Sequence, residues 1–285
     1  MNKPSLGKGF IICKMKNTVL LLTSCINPRG MKYTVLQDKV ERKKQYIKAI
    51  RFYLENTKFR IVFCDNSGED VTELKELVTD PRLELLSFRG NDYDKSLGKG
   101  YGEFGIVQYA FQHSEFIGEA KSVVKITGRL IVNNLIEVIG LHDKLFFYPK
   151  HFVYVETNAY RAFDSRCIIA SKDFFLRHFL TSHNPINDSN GYYFEHYLYD
   201  TIKHLPKCYI VSDCVFPLAF SGMSGTSGVE YEYEEMGCAK KLFLTRDFCQ
   251  YKRKLYKGNN VYLYVWFSLV SFVIKVKKYI YNHFN

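Results

Sequence analysis

A chain of 285 residues can form one large domain or two smaller ones, each with a buried core. Hydrophobic residues make up 47% and charged residues 24%, which excludes global disorder. The formal net charge of +11 favours an anionic partner. Because no dense Lys/Arg block of the nucleic-acid-binding kind occurs, we expect a phosphate-rich ligand or an anionic membrane surface, and no nucleic acid.

The eight cysteines are scattered, and none has the Cys-x-x-Cys spacing of a zinc site. Several lie in strand-like apolar runs, which indicates reduced thiols in a core and a reducing, cytoplasmic compartment. Residues 1–16 are predicted to form an irregular leader, because the apolar run that follows them is too short for a secretion signal.

Strands and helices alternate through the first half of the chain. The patterns predict buried strands at Thr18–Cys25, Arg60–Cys64, Leu83–Phe88 and from Ser122, and helices at Asp38–Glu55, Val71–Val78 and Glu103–Phe116. The first helix is predicted to bury one apolar face, formed by Val40, Tyr46, Ile47, Ile50 and Leu54. This alternation indicates βαβ units and an α/β fold with a mainly parallel sheet flanked by helices.

Shorter elements follow residue 141. The predicted strands are Lys144–Tyr148, Phe152–Glu156, Arg166–Ala170, Cys208–Val211 and Val215–Phe220, and the predicted helices are Asp173–Leu180 and Tyr192–His204. We therefore expect a single α/β domain over residues 1–240 and a separate helical tail over residues 241–285.

The tail contains an uncharged, aromatic segment, Val261–Ile274. Basic residues flank it: Lys252, Arg253, Lys254 and Lys257 before it, and Lys275, Lys277 and Lys278 after it. As a helix it would be about 21 Å long, shorter than the roughly 30 Å hydrocarbon core of a bilayer. The pattern predicts a helix that lies in the plane of an anionic membrane surface. The alternative is a helix packed on the protein's own core.

The strand that begins at Ser122 ends in a small turn that carries Lys125, Thr127 and Arg129. The carboxyl end of a strand is where open α/β sheets bind ligands. Cationic and hydroxyl groups at that place favour an anionic ligand such as a diphosphate. The alternative is an ordinary strand–turn–helix junction with a solvated arginine.

Four glycines, Gly98, Gly100, Gly102 and Gly105, lead into the predicted helix at Glu103. Glycines let the backbone approach a ligand, and a helix N-terminus offers N–H groups to a phosphate or ribose. The spacing matches neither the dinucleotide-binding nor the P-loop motif. Asp92 and Lys99 are the side chains predicted to contact a ligand here, and a flexible surface loop is the alternative.

Asp65 ends the second predicted strand, where a carboxylate in a nucleotide-binding sheet accepts a hydrogen bond from base or ribose. The sequence Asp65-Asn66-Ser67-Gly68 is equally typical of a turn that binds no ligand.

The order of these features resembles the GT-A glycosyltransferases, in particular bacterial enzymes that build capsule, O-antigen or lipopolysaccharide. The resemblance covers residues 15–240 and rests on Thr23–Asn27, Phe63–Gly68, Asn91–Glu103, Lys125–Arg129, Phe163–Asp173 and Ser221–Gly228. It implies a GT-A-like fold and transfer of a sugar from a nucleotide-sugar donor to a glycan or lipid-linked acceptor. The first candidate for the donor is a UDP-sugar. The implied donor-binding residues are Thr23, Asp65, Asp92, Lys99, Gly100, Lys125, Thr127 and Arg129.

The sequence departs from this family at its metal-binding motif. GT-A enzymes usually carry Asp-x-Asp after the fourth strand, and here that place reads Lys125-Ile126-Thr127-Gly128-Arg129. Lys125 and Arg129 could neutralise the leaving diphosphate without a metal, so no cofactor is expected. Mg²⁺ or Mn²⁺ would need a non-standard site.

An inverting transfer needs a carboxylate base to deprotonate the acceptor hydroxyl. Glu195 is the first candidate, Asp188 the second and Glu103 the third, and a solvated helix carboxylate is the alternative for Glu195. The loop Ser221–Gly228 is predicted to be a lid, with Ser224 and Thr226 facing the ligand, or else an ordinary connection.

Two other functions compete with a transferase. The first is a non-catalytic binding or scaffold protein of a glycan-assembly complex, and the weaker second is a nucleotidyltransferase, whose Gly-rich signature should follow the first strand. If the transferase hypothesis and the membrane-binding tail both hold, the protein is peripheral on the cytoplasmic face of the inner membrane.

Overall fold

The computed structural model describes residues 17–31, 34–77, 79–159, 161–225, 227–258 and 260–284. The predicted leader, residues 1–16, lies outside the described residues. The chain forms two compact units. The first unit comprises the chain up to Asn133, Pro149–Asp213 and Phe220–Glu232; the second comprises Asn134–Tyr148, Cys214–Ala219 and Tyr233–Asn285. The second unit thus includes the predicted tail, and the predicted boundary at residue 240 stays a prediction.

The first unit holds all the described strands. They are β1 (Thr18–Ser24), β2 (Arg60–Asp65), β3 (Leu83–Ser87), β4 (Ser122–Thr127), β5 (Ile131–Val132), β6 (Phe152–Tyr154), β7 (Thr157–Ala159), β8 (Ala162–Phe163), β9 (Cys167–Ser171), β10 (Ile210–Ser212), β11 (Phe220–Met223) and β12 (Glu230–Tyr231).

Helices lie in both units. In the first they are α1 (Lys39–Asn56), α2 (Thr72–Leu77), α3 (Lys99–His113), α4 (Glu115–Glu119), α6 (Lys172–Phe174, continued by a π-helical turn at Phe175–Phe179) and α7 (Phe194–Lys203), with 3-10 turns at Lys95–Leu97 and Asp188–Asn190. In the second they are α5 (Leu135–Leu145), α8 (Cys238–Tyr256) and α9 (Val261–Phe284).

Seven strands form the main sheet, in the order β10-β6-β9-β4-β1-β2-β3. Strand β1 pairs in parallel with β2 and β4, and β2 in parallel with β3. Strand β9 runs antiparallel to both of its neighbours, β4 and β6. The predicted α/β class, with a mixed, mainly parallel sheet and a helical C-terminal segment, is confirmed.

Strand β1 lies inside the sheet, between β4 and β2, and every one of its residues is buried. Burial on both faces is typical of a strand in a parallel sheet. Its apolar run Val19–Leu22 is completely inaccessible to solvent. The polar residues Thr23 and Ser24 follow only at its carboxyl end. Because β2 and β4 run parallel to β1, their last residues, Asp65 and Thr127, lie at the same edge of the sheet as the carboxyl end of β1.

Helix α1 begins at its predicted position, where the Asp38 side chain accepts hydrogen bonds from the N–H groups of Val40 and Glu41. Its buried face was only partly predicted. Tyr46 and Ile50 are buried as expected, whereas Val40 is 59% exposed. The buried residues recur at positions 42, 46, 49, 50 and 53, and position 40 lies off that helical face.

Helix α3 begins four residues earlier than predicted, so the Gly-rich segment is mostly helical. Gly98 precedes the helix with φ +85°, and Gly100, Gly102 and Gly105 lie inside it. A Cβ atom at Gly102 would lie 2.4 Å from the Tyr93 hydroxyl oxygen. Close packing against Tyr93 therefore explains the glycine at position 102, and the alternative of a flexible loop does not hold there.

Two predicted strands are wrong. The segment Lys144–Tyr148 contains the end of α5 and a turn in which Phe147 and Tyr148 have positive φ angles. The segment 215–219 is irregular because its backbone bonds to side chains: the Val215 N–H donates to His142 Nε2 at 2.9 Å. Only Phe220, the last residue of that prediction, belongs to a strand.

The second unit is built around α8 and α9, which are linked by four residues and pack on each other. Phe267 of α9 is completely buried, with its ring centroid 5.5 Å from that of Phe146 and 5.9 Å from that of Tyr256. The Trp266 indole donates to the Leu145 carbonyl at 2.9 Å. Among the described residues, none of the helices combines the length and hydropathy needed to cross a bilayer.

Candidate active site

A cavity of about 510 Å³ opens in the first unit at the carboxyl ends of β1, β2 and β4. Parallel strands end here, which is where open α/β sheets bind ligands. Nine of the predicted site residues line it: Thr23, Lys99, Gly100, Glu103, Thr127, Arg129, Asp188, Glu195 and Ser224. The predicted residues Asp65, Asp92 and Lys125 do not line it, and Thr226 lies outside the described residues.

Two buried guanidinium groups line this cavity, those of Arg42 and Arg129. Arg42 donates to the Cys25 carbonyl at 2.7 Å, to the Leu36 carbonyl at 3.1 Å and to the Tyr46 hydroxyl at 3.1 Å. All three acceptors are neutral, so these bonds orient the guanidinium without neutralising it. In the described part of the chain, neither arginine forms a salt bridge.

Arg129 lies in the turn after β4, and its side chain is held by α1 and by the hairpin that contains β11. Its Nη1 atom donates to the Met223 carbonyl at 3.1 Å and to Gln45 Oε1 at 3.4 Å. A Cβ atom at Gly225 would lie 2.1 Å from Arg129 Nη2, so the hairpin approaches the guanidinium directly. Burial lowers the pKa of Arg129 and the charge of Arg42 lowers it further, whereas Tyr46 and the more distant charge of Glu103 partly offset these effects.

Lys125 is completely buried and already neutralised. Its ammonium pairs with Glu103 and donates to the Ser165 carbonyl at 2.6 Å. Glu103 also accepts from Thr23 Oγ1 at 3.1 Å and from Thr127 Oγ1 at 3.5 Å. The pair therefore ties α3 to the ends of β1 and β4, and Lys125 does not offer its charge to the cavity.

Two carboxylates, Asp188 and Glu195, line the cavity close to each other. Glu195 Oε1 accepts from the Ser165 hydroxyl at 2.5 Å. Burial raises the pKa of Asp188, and the charge of Glu195 raises it further. Among the described residues, the buried Asp188 Oδ1 atom has no hydrogen-bond partner.

Asp188 occupies the place where the sequence had suggested a phosphate. A Cβ atom at Gly98 would lie 2.1 Å from Asp188 Oδ2, and one at Gly100 would lie 3.1 Å from Oδ1. The backbone N–H groups of Lys99 and Gly100 lower the pKa of Asp188 and partly offset the effect of burial. The N-terminus of α3 therefore faces a carboxylate of the protein itself.

Asp65 is fully engaged within the protein. Its Oδ2 accepts from Ser24 Oγ at 2.6 Å and from the Ile26 N–H at 2.7 Å. Its Oδ1 accepts from the Ser67 N–H at 2.8 Å and from Ser67 Oγ at 2.5 Å. These four bonds fasten the loops after β1 and β2, which matches the turn alternative. Asp92 is exposed and does not line the cavity, although its neighbours Asn91 and Tyr93 do.

Sequence reasoning missed several cavity residues. Arg42 carried a signal, because a cation falls on the buried stripe of α1 at 42, 46, 49, 50 and 53. Asn66 and Asn91 carried none, since asparagine in a turn is unremarkable. Both are buried at the cavity, and Asn66 Oδ1 has no hydrogen-bond partner among the described residues.

Arg166 joins the hairpin of β11 and β12 to the rest of the first unit. Its guanidinium pairs with Asp164 and lies 4.2 Å from the Phe220 ring centroid and 5.1 Å from that of Tyr231. Hydrogen bonding to Asp164 raises the pKa of Arg166. This hairpin carries Ser224 at the cavity, and a role for it as a lid stays a prediction.

The residues after β4 do not fit the metal that the resembled family uses, because Lys125–Arg129 contains no carboxylate. In the part of the chain that the structure describes, no group of three or more His, Cys, Asp or Glu residues could hold a metal ion. The structure describes seven of the eight cysteines, and no two of these seven form a disulfide.

No family model matches the chain, and no curated protein matches it. Among solved structures, it is similar to a protein from Desulfovibrio desulfuricans G20 that is described as a candidate nucleotide-diphospho-sugar transferase. The two share 12% identity with a TM-score of 0.37, over 70% of this chain and 81% of that one. A likeness of this degree carries no argument about function, which rests on the cavity.

Proposed function

We propose that the first unit is a glycosyltransferase that takes its sugar from a nucleotide-sugar donor and works without a metal. A UDP-sugar is the first candidate for the donor. The observation that carries this proposal is the pair of buried guanidinium groups, Arg42 and Arg129, without a carboxylate partner in the described part of the chain. Burying an unpaired charge is costly, so such a pair is expected where an anion binds.

A diphosphate fits the two arginines better than a single carboxylate does. Each guanidinium is planar and presents several N–H donors, a geometry that suits phosphate oxygens. As the bond between sugar and diphosphate breaks, the leaving oxygen gains negative charge, and Arg42 and Arg129 would stabilise it. The two arginines would thus fill the role that a metal ion usually has in GT-A enzymes.

We assign the acceptor proton to Asp188. Its Oδ1 atom is buried at the cavity without a hydrogen-bond partner among the described residues, and burial raises its pKa, which makes the carboxylate a stronger base. The acceptor oxygen would form a bond to the anomeric carbon and lose its proton to Asp188, while the electron pair of the breaking bond leaves with the nucleoside diphosphate. Glu195, fixed by Ser165, would maintain the raised pKa through its charge.

The acceptor belongs to the same proposal. The cavity presents carboxylates together with Tyr193 and Tyr231, a mixture of hydroxyl, aromatic and carboxylate groups that suits a hydroxylated, uncharged acceptor. We therefore extend the proposal to a glycan or a lipid-linked sugar, as in the synthesis of bacterial capsule, O-antigen or lipopolysaccharide.

Thermal unfolding in the presence of UDP, GDP, CMP and their sugars, each with EDTA and with Mn²⁺, tests the donor site. A rise in Tm with one nucleotide that survives EDTA is the expected result. The Arg129→Met variant should lose this rise, whereas Arg51→Met, which removes an exposed arginine of α1, should keep it. A rise that needs Mn²⁺ would contradict metal independence.

Turnover decides between the enzyme and a non-catalytic scaffold. If a nucleotide sugar binds, its slow hydrolysis or transfer to added glycans should be measurable with the wild type and lost in Asp188→Asn. Binding without any turnover across donors and acceptors would favour the scaffold, and no binding at all would remove the donor site.

A further inference from the structure

Helix α9 has two faces of different environment. Phe267, Ser271 and Ile274 are buried within the second unit. The opposite face is apolar and exposed, at Tyr262, Val265, Leu269, Phe272, Val273 and Val276, which are between 42% and 89% accessible to solvent. We call these six residues the α9 stripe. At 3.6 residues per turn they fall within an arc of about 100°.

The α9 stripe is larger than the scattered apolar residues that a soluble surface normally carries. Contiguous exposed apolar patches mark contacts with proteins or membranes. Here the packed face shows that the helix is already part of a folded unit, so the stripe is not a core face left over from an isolated helix. Something apolar is expected to cover it.

Charge decides which occupant fits. Helices α8 and α9 with their link contain one acidic residue, Asp247, and ten basic residues: Lys240, Lys241, Arg246, Lys252, Arg253, Lys254, Lys257, Lys275, Lys277 and Lys278. Lys275 and Lys277 are exposed and fall on opposite sides of the arc of the α9 stripe. A second copy of the same basic surface would bring like charges together.

We propose that the α9 stripe binds an anionic lipid surface, with α9 lying in the plane of the membrane. The six apolar side chains would enter the boundary between headgroups and acyl chains, and Lys275 and Lys277 would extend to the headgroup phosphates on either side. The helix does not need to cross the bilayer, which agrees with the absence of a spanning helix among the described residues. This inference does not depend on the proposed transferase activity.

Sedimentation of the full chain with lipid vesicles tests the proposal. The protein should bind vesicles of phosphatidylcholine with phosphatidylglycerol, and bind phosphatidylcholine alone more weakly. The double variant Leu269→Glu/Phe272→Glu should lower the partition coefficient at least about tenfold, since it removes two inserted apolar side chains and adds charge. Lys275→Gln/Lys277→Gln should weaken binding only to the anionic vesicles and reduce its dependence on salt.

A matched control separates the α9 stripe from general surface hydrophobicity. The double variant Val40→Glu/Leu176→Glu also replaces two exposed apolar residues of the first unit by glutamate, and should bind anionic vesicles as the wild type does. Circular dichroism of each variant checks the fold. Equal losses in both double variants would overturn the proposal.

Oligomeric state gives the competing outcome. If the wild type is a dimer in light scattering and Leu269→Glu/Phe272→Glu is a monomer, the α9 stripe is an interface between copies and the lipid proposal is overturned. Because the vesicle assay contains no nucleotide, its result is separate from that of the donor-binding experiment.

Discussion

Buried charged side chains distinguish the candidate site at the scale of single residues. Lys125 has a carboxylate partner in Glu103, whereas Arg42 and Arg129 have none in the described part of the chain. A paired buried charge is a structural tie, and an unpaired one at a cavity marks a ligand. Lys125 lies within β4 and Arg129 lies in the turn that follows it, and the two cations therefore have different roles.

The Lys125–Glu103 pair should contribute to stability in a way that depends on both partners. Glu103→Gln leaves the buried ammonium without a counter-charge and is expected to lower the free energy of unfolding by about 3–5 kcal/mol. The double variant Glu103→Gln/Lys125→Met should recover most of this loss, because it removes the charge as well. Urea denaturation of the wild type, Glu103→Gln, Lys125→Met and the double variant measures the coupling energy between the two side chains. If the losses of the two single variants simply add in the double variant, the two residues do not stabilise the fold as a pair.

The protonation of Asp188 should set the acid side of the pH–rate profile. Its pKa is raised in the folded protein, so at pH values between the unfolded and the folded pKa the folded protein holds a proton that the unfolded chain has lost. The carboxylate is fully charged, and able to act as a base, only above the folded pKa. We expect kcat/KM to fall as pH drops through that raised pKa. Asp188→Asn should lower kcat about 10²–10⁴-fold and remove this limb.

Glu195→Gln provides the comparison for that profile. Removing the neighbouring charge should lower the pKa of Asp188 and shift the acid limb to lower pH, with part of the activity retained. If Glu195→Gln abolishes turnover and Asp188→Asn keeps the limb, the base is Glu195, the first choice from sequence.

At the scale of elements, the start of α3 depends on the contacts of its glycines. Gly98 combines a positive φ with close approach of Asp188, whereas a Cβ atom at Gly105 would meet nothing within 4 Å. In the sequence the four glycines look equivalent. They differ in their contacts with segments that are distant along the chain.

Alanine at the two glycines should have opposite effects. Gly98→Ala is expected to destabilise the first unit and to displace Asp188, with loss of activity. Gly105→Ala, inside the same helix and without a clash, should stabilise it by about 0.5–1 kcal/mol and leave activity unchanged. Thermal unfolding with turnover checks both, and a stable, active Gly98→Ala would contradict the close approach of Asp188.

His142 connects α5 to the irregular segment 214–219, because its Nε2 atom accepts from the Val215 N–H and must stay unprotonated. Burial lowers its pKa from 6.5 to about 3. The unfolded chain therefore binds a proton below pH 6.5 that the folded chain rejects, so stability falls as pH drops. Between pH 7 and pH 5 the loss should be about 2 kcal/mol. His142→Gln, followed by urea denaturation at both pH values, should remove this difference.

For the molecule as a whole, an anion that binds at Arg42 and Arg129 should raise the free energy of unfolding. A ligand that binds only the folded state at 100 times its Kd adds about 2.7 kcal/mol. Pyrophosphate, which has the charge of the diphosphate without base or sugar, should raise Tm with the logarithm of its concentration. Arg129→Met should abolish this rise and Arg51→Met should retain it; an equal response in both would place the anion elsewhere.

Local sequence patterns predicted most of the helices and strands and the edge of the sheet where the cavity lies. Buried runs such as Val19–Leu22 form strands because local apolar patterning selects them, and the cap at Asp38 begins α1 for an equally local reason. Lys125 and Arg129 could be placed at the end of a strand because the turn follows that strand directly. Patterning also predicted the C-terminal helix.

Which of these groups face the cavity depends on packing between distant segments. Lys125 is neutralised by Glu103, Asp65 is held by Ser24 and Ser67, and Asp188 covers the start of α3. The contact of Asp188 with Gly98 joins residues 90 positions apart. A buried charge acts according to its nearest partner, and that partner is set by packing between distant segments, which local sequence does not encode.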